Sequence, residues 1–262
     1  MNSRLIYGIH PVEELLRKDA RKIEELIFCL PIEKSKSVPA KTRLHVVAEI
    51  AKQKGVKTRS ASKEELSALC GDDSHQGVVA VAGVYQYLDL HDLLMACECS
   101  SKGDGKVPLL LVVDGITDPQ NLGAMFRSAL LFGATGVVLP KDRCAGVTST
   151  VVRVSSGATE HLPCAQVTNL VRALGEMKEA GFWIAGAVEK GGIAPAKADL
   201  CVPLSLVLGN EQKGIRPLVH RNCDLLLTIP VGGVIVSLNV ASATAVLFYE
   251  VARQRSIRDQ KE

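Results

Sequence analysis

Short apolar segments alternate with helix-forming segments along most of this 262-residue chain. In the second half, residues 109–113, 136–139, 162–166, 182–187 and 204–208 have the composition of buried strands, and helix-forming stretches separate most of them. Parallel strands covered on both faces have this near-continuous apolar character. Aromatic residues make up only 4% of the chain, so the cores must be mostly aliphatic. The sequence predicts an α/β protein with a mainly parallel sheet.

The first 84 residues contain a smaller α/β pattern of their own. Ser62 followed by Glu65 forms a capping box, which predicts a helix over 62–69. The remaining periodicity predicts helices at 11–18 and 42–54 and strands at 26–29, 56–59 and 78–82. No nucleophile with an adjacent base is recognisable in this unit, so we interpret it as a binding module.

A polar, glycine-containing run at 100–106 follows a short predicted helix at 89–99 and should break regular structure. We therefore predict an N-terminal domain over residues 1–84, a linker with a short helix over 85–106, and a second domain over 107–262.

The sequence also bears on compartment and metal binding. No stretch approaches the roughly 20 apolar residues that a membrane span needs, and the N-terminus lacks a signal-peptide pattern. The eight cysteines are scattered through apolar segments without a C-x-x-C pair, and the six histidines form no ligand cluster. We expect a soluble cytoplasmic protein with reduced thiols and no metal.

Positive charge is concentrated between residues 34 and 63, where nine Lys or Arg stand against one acid, Glu49. The nine are Lys34, Lys36, Lys41, Arg43, Lys52, Lys54, Lys57, Arg59 and Lys63. Most charge runs are solvated helix faces. This excess is larger than ordinary surface patterning, and it favours a nucleic acid as partner.

Two turns of the second domain place polar side chains where strands end. Asp118 followed by a proline predicts a helix N-cap, which puts Asn121 in the first turn and Arg127 off the apolar face. After the strand at 204–208, Glu211 lies between two glycines. Ligands of open α/β sheets bind at such carboxyl ends of strands.

A third turn follows the predicted strand at 225–229. A Pro-Val-Gly-Gly sequence leads to Ser237, which is expected to cap a final helix carrying Asn239 in its first turn. Glycines here and at Gly209 leave backbone open to close approach by a ligand, so a side chain at Gly209 should intrude on that ligand. Three such turns in one domain predict a binding site.

The three turns resemble the three motifs of SPOUT-class (SpoU/TrmH) RNA ribose 2′-O-methyltransferases. The matching residues are Asp118-Pro-x-Asn121-x-Gly123-x-x-x-Arg127, Leu208-Gly209-Asn210-Glu211-x-x-Gly214, and Ile229-Pro230 with Ser237-Leu238-Asn239-Val240. Gly8-Ile9-His10-Pro11 and His75-Gln76-Gly77-Val78 resemble the N-terminal substrate-binding domain of the subgroup that methylates a guanosine of large-subunit (23S) ribosomal RNA.

The resemblance implies a catalytic domain with a deep trefoil knot, preceded by a ribosomal-protein-like RNA-binding domain. It implies S-adenosylmethionine as methyl donor, bound at Gly209, Ile229 and Leu238, with Leu208 and Pro230 as wall. A homodimer is also implied. The absence of G-x-G-x-x-G agrees with a cofactor site that is not of the Rossmann type.

The resemblance further implies five catalytic residues. Asn121 would hold the ribose, Glu211 would orient Arg127 or the knot loop, and Ser237 and Asn239 would hydrogen-bond across the motifs. Arg127 is either the proton acceptor or a clamp that binds phosphate and stabilises the developing alkoxide. Glu160 either lies near the target or on the surface.

Three functional interpretations stay open. The first is an RNA 2′-O-methyltransferase with large-subunit ribosomal RNA as its target and, by resemblance, guanosine as the methylated nucleoside. The second is a tRNA or antibiotic-resistance 2′-O-methyltransferase, and the third is a non-catalytic RNA-binding protein. Gln212, Ile235 and Val236 differ from residues common in relatives and leave the finer RNA target open.

Overall fold

The computed structural model describes residues 3–29, 42–233 and 237–260, apart from the side chains of Ser100, Lys102, Asp104 and Asp259. The chain divides into two compact units. The first combines the chain up to Gln86 with Val147–His161, and the second combines Tyr87–Gly146 with the chain from Leu162 onward.

The elements follow one another in an alternating order. The strands are β1 Ser3–Tyr7, β2 Ile23–Phe28, β3 Thr58–Ser60, β4 Val78–Gly83, β5 Leu109–Asp114, β6 Gly136–Pro140, β7 Cys164–Val167, β8 Trp183–Ala187, β9 Leu204–Gly209 and β10 Leu225–Leu227. The helices are α1 Ile9–Asp19, α2 Arg43–Gln53, α3 Lys63–Cys70, α4 Leu90–Asp104, α5 Pro119–Leu131, α6 Ser149–Val154, α7 Ala158–His161, α8 Leu170–Glu179, α9 Pro217–Arg221 and α10 Val240–Asp259.

Local capping signals explain several helix starts. The Ser62 hydroxyl accepts a hydrogen bond from the Glu65 backbone N–H at 3.1 Å, which confirms the predicted start of α3. The Asp118 carboxylate likewise accepts from the Gln120 N–H, and the predicted apolar face of α5 is buried.

Two features differ from the sequence predictions. Strand β1 was not predicted. The predicted break over 100–106 was wrong, because α4 continues to Asp104 and ends at Gly105 with a positive φ of 67°.

The first unit contains a mixed four-stranded sheet in the order β1-β4-β2-β3. The segment with α6 and α7 packs against this unit, although the sequence placed it in the second domain. The Arg4 guanidinium pairs with the Glu160 carboxylate at 2.9 Å, and the Glu160 side chain is only 3% exposed. The Tyr85 hydroxyl donates to the Thr159 carbonyl at 3.2 Å. Glu160 is therefore a buried partner of Arg4 and not a surface residue.

The basic segment is partly neutralised within the first unit. Lys34, Lys36 and Lys41 lie outside the described residues. Lys57 and Arg59 both pair with Glu25, and the bond from Lys57 is the main reason that the pKa of the Glu25 carboxyl is lowered. The Lys54 ammonium donates to the carbonyls of Leu16 and Arg17. Binding of RNA by this segment stays a prediction.

The second unit contains a six-stranded sheet in the order β10-β8-β9-β5-β6-β7, with every strand pair parallel, as predicted. Leu110 and Val112 of β5 pack in one core with side chains of α4, α8 and α9. The alternate residues Leu109 and Leu111 are equally buried. The sheet is thus covered on both faces, and α5 packs against α10.

The eight cysteines carry free thiols. Burial raises the pKa of the Cys70, Cys144 and Cys223 thiols to about 11, so they stay protonated at neutral pH. The interpretation as core thiols does not extend to Cys99, which is exposed. None of the described helices is long and apolar enough to cross a membrane.

Candidate active site

The second unit gathers its polar turns at the carboxyl edge of the sheet. In the parallel register of β5 and β9, Asp114 lies opposite Gly209, so the turns that follow these strands start side by side. Asn210 joins them, because its side-chain amide donates to the Gly115 carbonyl at 3.1 Å. Reciprocal backbone hydrogen bonds between Asn210 and Gly214 close the second turn.

A chain of hydrogen bonds connects the three predicted motifs. The Asn121 amide nitrogen donates to the Glu211 carboxylate at 2.5 Å, and the Asn239 amide nitrogen donates to the Asn121 amide oxygen at 3.0 Å. The Asn239 oxygen in turn accepts from the Ala241 backbone N–H at 2.8 Å. All three side chains are thereby fixed next to one another, although they are up to 118 positions apart in sequence.

Asn239 is the N-cap of α10, a role that sequence reasoning gave to Ser237. Ser237 lies too far before the first helical residue, Val240, to cap the helix. Its hydroxyl donates instead to the Glu189 carboxylate at 2.8 Å. Ser237 was expected to form a hydrogen bond with another of the three motifs. Among the described residues, no such bond is present. Ile235 and Val236 lie outside the described residues.

Glu189 is a site residue that sequence reasoning missed. It lies two residues after β8 ends at Ala187, at the same edge of the sheet as the three motifs. The rule that ligands bind at carboxyl ends of parallel strands would have pointed to it. No motif marks it, and only its contact with Ser237 makes it conspicuous.

Arg127 is exposed on α5, the helix that carries Asn121. Within the described part of the chain, no hydrogen bond or ion pair joins its guanidinium to another side chain. The structure does not show Glu211 orienting Arg127, because the Glu211 carboxylate bonds to Asn121. The five donors of the guanidinium are therefore available to a ligand.

A cavity of about 400 Å³ opens beside these residues. Leu208, Gly209, Ile229 and Leu238 line it, so four of the five residues predicted to bind the cofactor surround one space. Pro230 is exposed and is not part of this lining. Glu189 and Glu211 add two carboxylates to the wall.

Gly209 is required by the protein's own backbone. A Cβ added there would lie 2.2 Å from the carbonyl carbon of Gly214 and 2.3 Å from the Ile215 nitrogen. Real Cβ atoms do not approach backbone so closely, so the turn would have to move. The prediction that a side chain at Gly209 intrudes on the ligand stays a prediction. The structure adds a second obstacle, because such a side chain also meets the backbone of residues 214 and 215.

The described residues contain no group of three or more His, Cys, Asp or Glu side chains that could hold a metal ion. The cofactor and catalytic assignments of the individual residues stay predictions at this point.

Comparison with known proteins places this fold and site in a class. The family model described as SpoU rRNA Methylase family matches residues 108–249, and the model described as RNA 2′-O ribose methyltransferase substrate binding matches residues 5–88. The chain belongs to the SpoU rRNA methylase family. The family resemblance seen in the sequence is thereby confirmed.

Individual relatives resemble the chain over nearly its whole length. It is 40% identical over 256 residues to the 23S rRNA (guanosine-2′-O-)-methyltransferase RlmB of Ralstonia nicotianae, covering 97% of both chains. It is 38% identical over 251 residues to RlmB of Shewanella oneidensis, covering 96% of this chain and 97% of the relative.

Solved structures agree in fold. The SpoU methyltransferase AviRb from Streptomyces viridochromogenes superposes with a TM-score of 0.78 at 23% identity, covering 98% of this chain and 91% of AviRb. The predicted α/β fold is confirmed, while the trefoil knot stays a prediction.

The Gly209 contacts lead to a stability prediction. Gly209→Ala should lower the thermal unfolding midpoint by about 5 °C or more, because the new methyl group displaces the backbone of residues 214 and 215. Gly232→Ala is the control, since no atom lies within 4 Å of a Cβ added at Gly232. Differential scanning calorimetry of both variants measures the effect. Equal midpoints for the two variants would show that the turn tolerates the methyl group.

Proposed function

We propose that this chain transfers a methyl group from S-adenosylmethionine to the ribose 2′-hydroxyl of a guanosine in 23S ribosomal RNA. The two RlmB relatives, which share nearly its whole length, are named 23S rRNA (guanosine-2′-O-)-methyltransferases. The observation that carries the proposal is the hydrogen-bonded chain Glu211–Asn121–Asn239, which joins all three motifs beside a ligand-sized cavity.

The cavity fits S-adenosylmethionine in size and chemistry. A volume of about 400 Å³ lies within the range of roughly 300–1,000 Å³ that small-molecule sites occupy. Leu208, Ile229 and Leu238 offer apolar surface for the adenine ring and for the methylene groups beside the sulfonium. Glu189 and Glu211 outweigh the positive charge of Lys213 in the lining, and the remaining negative charge suits a cationic ligand. When bound, the cofactor supplies a methyl group on a sulfonium centre.

The residues around the cavity would align the acceptor ribose. Asn121 is held by Glu211 and Asn239 on both ends of its amide, so its position is fixed before substrate arrives. Alignment of this kind is worth roughly 7–11 kcal/mol of a reaction barrier. Arg127 has two possible roles. With its five donors it clamps a phosphate and stabilises the developing alkoxide, or, after its guanidinium has first lost a proton, it takes the hydroxyl proton. We assign Asn121, Arg127, Glu211, Ser237 and Asn239 to this machinery.

The first unit supports RNA as the substrate, because residues 5–88 match a substrate-binding family model. That match favours a ribosomal RNA enzyme over a tRNA enzyme lacking such a domain. A homodimer and a cytoplasmic location complete the proposal. Sedimentation showing only monomers at micromolar concentration would remove the dimer from it.

The activity itself is tested with labelled S-adenosylmethionine in parallel reactions on unmodified 23S rRNA and on unmodified tRNA. We expect label on a single guanosine ribose, located by mapping the nucleotide that resists alkaline cleavage on its 3′ side. Label on a base, on tRNA alone, or on no RNA would contradict the proposal.

Substitutions of Arg127 separate chemistry from binding. Arg127→Ala should reduce turnover by roughly 10²–10³-fold, whereas cofactor affinity should stay within about threefold, because Arg127 does not line the cavity. Arg127→Lys should fail as a bidentate clamp, since lysine lacks the planar fork, but should regain activity with rising pH if a base is needed. Single-turnover assays and calorimetry measure the two quantities. Ser128→Ala, on the same helix, is the control, and normal turnover of Arg127→Ala would overturn the assignment.

A substitution of Glu189 tests the cofactor site through cofactor affinity, without a measurement of methyl transfer. Glu189→Gln keeps an acceptor for Ser237 but removes the charge, so S-adenosylmethionine affinity should fall by roughly fivefold, or about 1 kcal/mol for a partly exposed charge interaction. Titration calorimetry measures the loss. Affinity for 5′-methylthioadenosine, which lacks the cationic groups, should change little. Glu179→Gln, at an exposed position, is the control, and its affinity for S-adenosylmethionine should equal that of the wild type. Unchanged affinity in Glu189→Gln would exclude an electrostatic role of Glu189 in cofactor binding.

A further inference from the structure

A second cavity lies at the same edge of the second unit, where β7 leads into α8 and where the turn after β9 leads into α9. Its volume is about 500 Å³. Residues 168–171 form one wall and residues 216–219 the other, so it shares no lining residue with the cavity beside the motifs. Nothing in the proposed methyl transfer uses this cleft.

The charged residue of the cleft is held by a buried carboxylate. Asp114, the last residue of β5, has a fully buried side chain. One of its oxygens accepts from the Arg216 Nε at 2.5 Å and the other from the Arg216 backbone N–H at 2.8 Å. A buried carboxylate is costly unless its oxygens are hydrogen-bonded, and here Arg216 satisfies both. Asp114 therefore fixes the backbone and the side-chain direction of Arg216.

The outer part of the Arg216 guanidinium is available to a ligand. Its side chain is 44% exposed, and neither terminal nitrogen bonds to a residue in the described ranges. Four N–H donors are left in a rigid plane, a geometry that matches the oxygens of a phosphate. A lysine could pair with Asp114 but could not present this fork.

Apolar surface lies next to these donors. Leu218 is 61% exposed, and Leu170, Val171, Pro217 and Val219 complete the apolar part of the lining. One exposed leucine on a protein surface needs no explanation. A cleft that combines a pre-positioned guanidinium with an apolar wall suits a nucleotide, whose phosphate and flat base need these two surfaces.

The cleft adjoins the proposed active site through the turn that follows β9. Residues 209–215 line the first cavity, and Arg216 begins the wall of the second. Asp114 also lies opposite Gly209 in the sheet. A strand of RNA that brings its target ribose to the first cavity could place a neighbouring nucleotide at the second.

We infer that the cleft between residues 168–171 and 216–219 binds a nucleotide of the RNA substrate adjoining the target, with its phosphate on Arg216 and its base on Leu218. This inference rests on the proposed function, because the substrate is taken to be ribosomal RNA. It adds a binding site that the three motifs do not contain.

Two substitutions test the cleft while sparing the buried Asp114. Arg216→Ala would leave the Asp114 charge unpaired and destabilise the fold, so Arg216→Lys is used. Leu218→Glu places a negative charge on the apolar wall at an exposed position. Each variant should bind unmodified 23S rRNA roughly tenfold more weakly in filter-binding assays. Cofactor affinity and the thermal midpoint should match those of the wild type.

Ile257→Glu is the matched control, because Ile257 is an exposed apolar residue near the far end of α10. Its RNA affinity should equal that of the wild type. RNA affinity of Leu218→Glu within twofold of this control would overturn the inference, even if Arg216→Lys binds weakly. A parallel loss of cofactor affinity and thermal stability in Arg216→Lys would assign Arg216 to the turn alone and would also overturn it.

The same experiments separate this inference from the proposed function. If the wild type methylates 23S rRNA while both cleft variants bind it normally, only the cleft assignment fails. If the wild type methylates no RNA while both variants lose RNA affinity, the cleft stands and the methylation proposal fails.

Discussion

The close approach of Gly209 to the backbone of residues 214 and 215 is the constraint on which the site depends. Because no side chain can stand between these segments, the turn after β9 folds back tightly, with Asn210 and Gly214 bonded to each other. Glu211 lies at the tip of that turn and meets Asn121 there. The parallel pairing of β9 with β5 brings the turn beside the start of α5. One steric requirement thus supports the hydrogen bonds that join the motifs.

The same turn connects two different sites. Its first part lines the cavity assigned to the cofactor, and Arg216 at its end lines the cleft assigned to RNA. The ion pair of Arg216 with the buried Asp114 fixes this end, as the Gly209 contacts fix the beginning. The two sites therefore share one turn of the backbone, which is held at both of its ends.

Predictions from the sequence were confirmed where a structural feature depends on residues that are close together in the chain. The parallel sheet, the apolar face of α5 and the caps at Ser62 and Asp118 depend on neighbouring residues, and all are present. The predictions failed where distant residues decide. The 147–161 segment joins the first unit because buried Glu160 pairs with Arg4, which is 156 positions away in sequence. Glu189 was overlooked because no motif marks it, although it follows a predicted strand, and its contact with Ser237 forms only in the folded chain.

The sequence by itself determined the α/β class, which follows from hydrophobic periodicity. It also determined the family and the residues of the three motifs, which follow from their resemblance to known family members. Only the tertiary structure decided which side chains meet. In the folded chain, Glu211 bonds to Asn121 and not to Arg127. Asn239 is the N-cap of α10. The Arg127 guanidinium is therefore available to a ligand. Hydrogen bonds act over about 3 Å, so partners remote in sequence are selected by how the strand ends are placed together, and no local pattern records that placement.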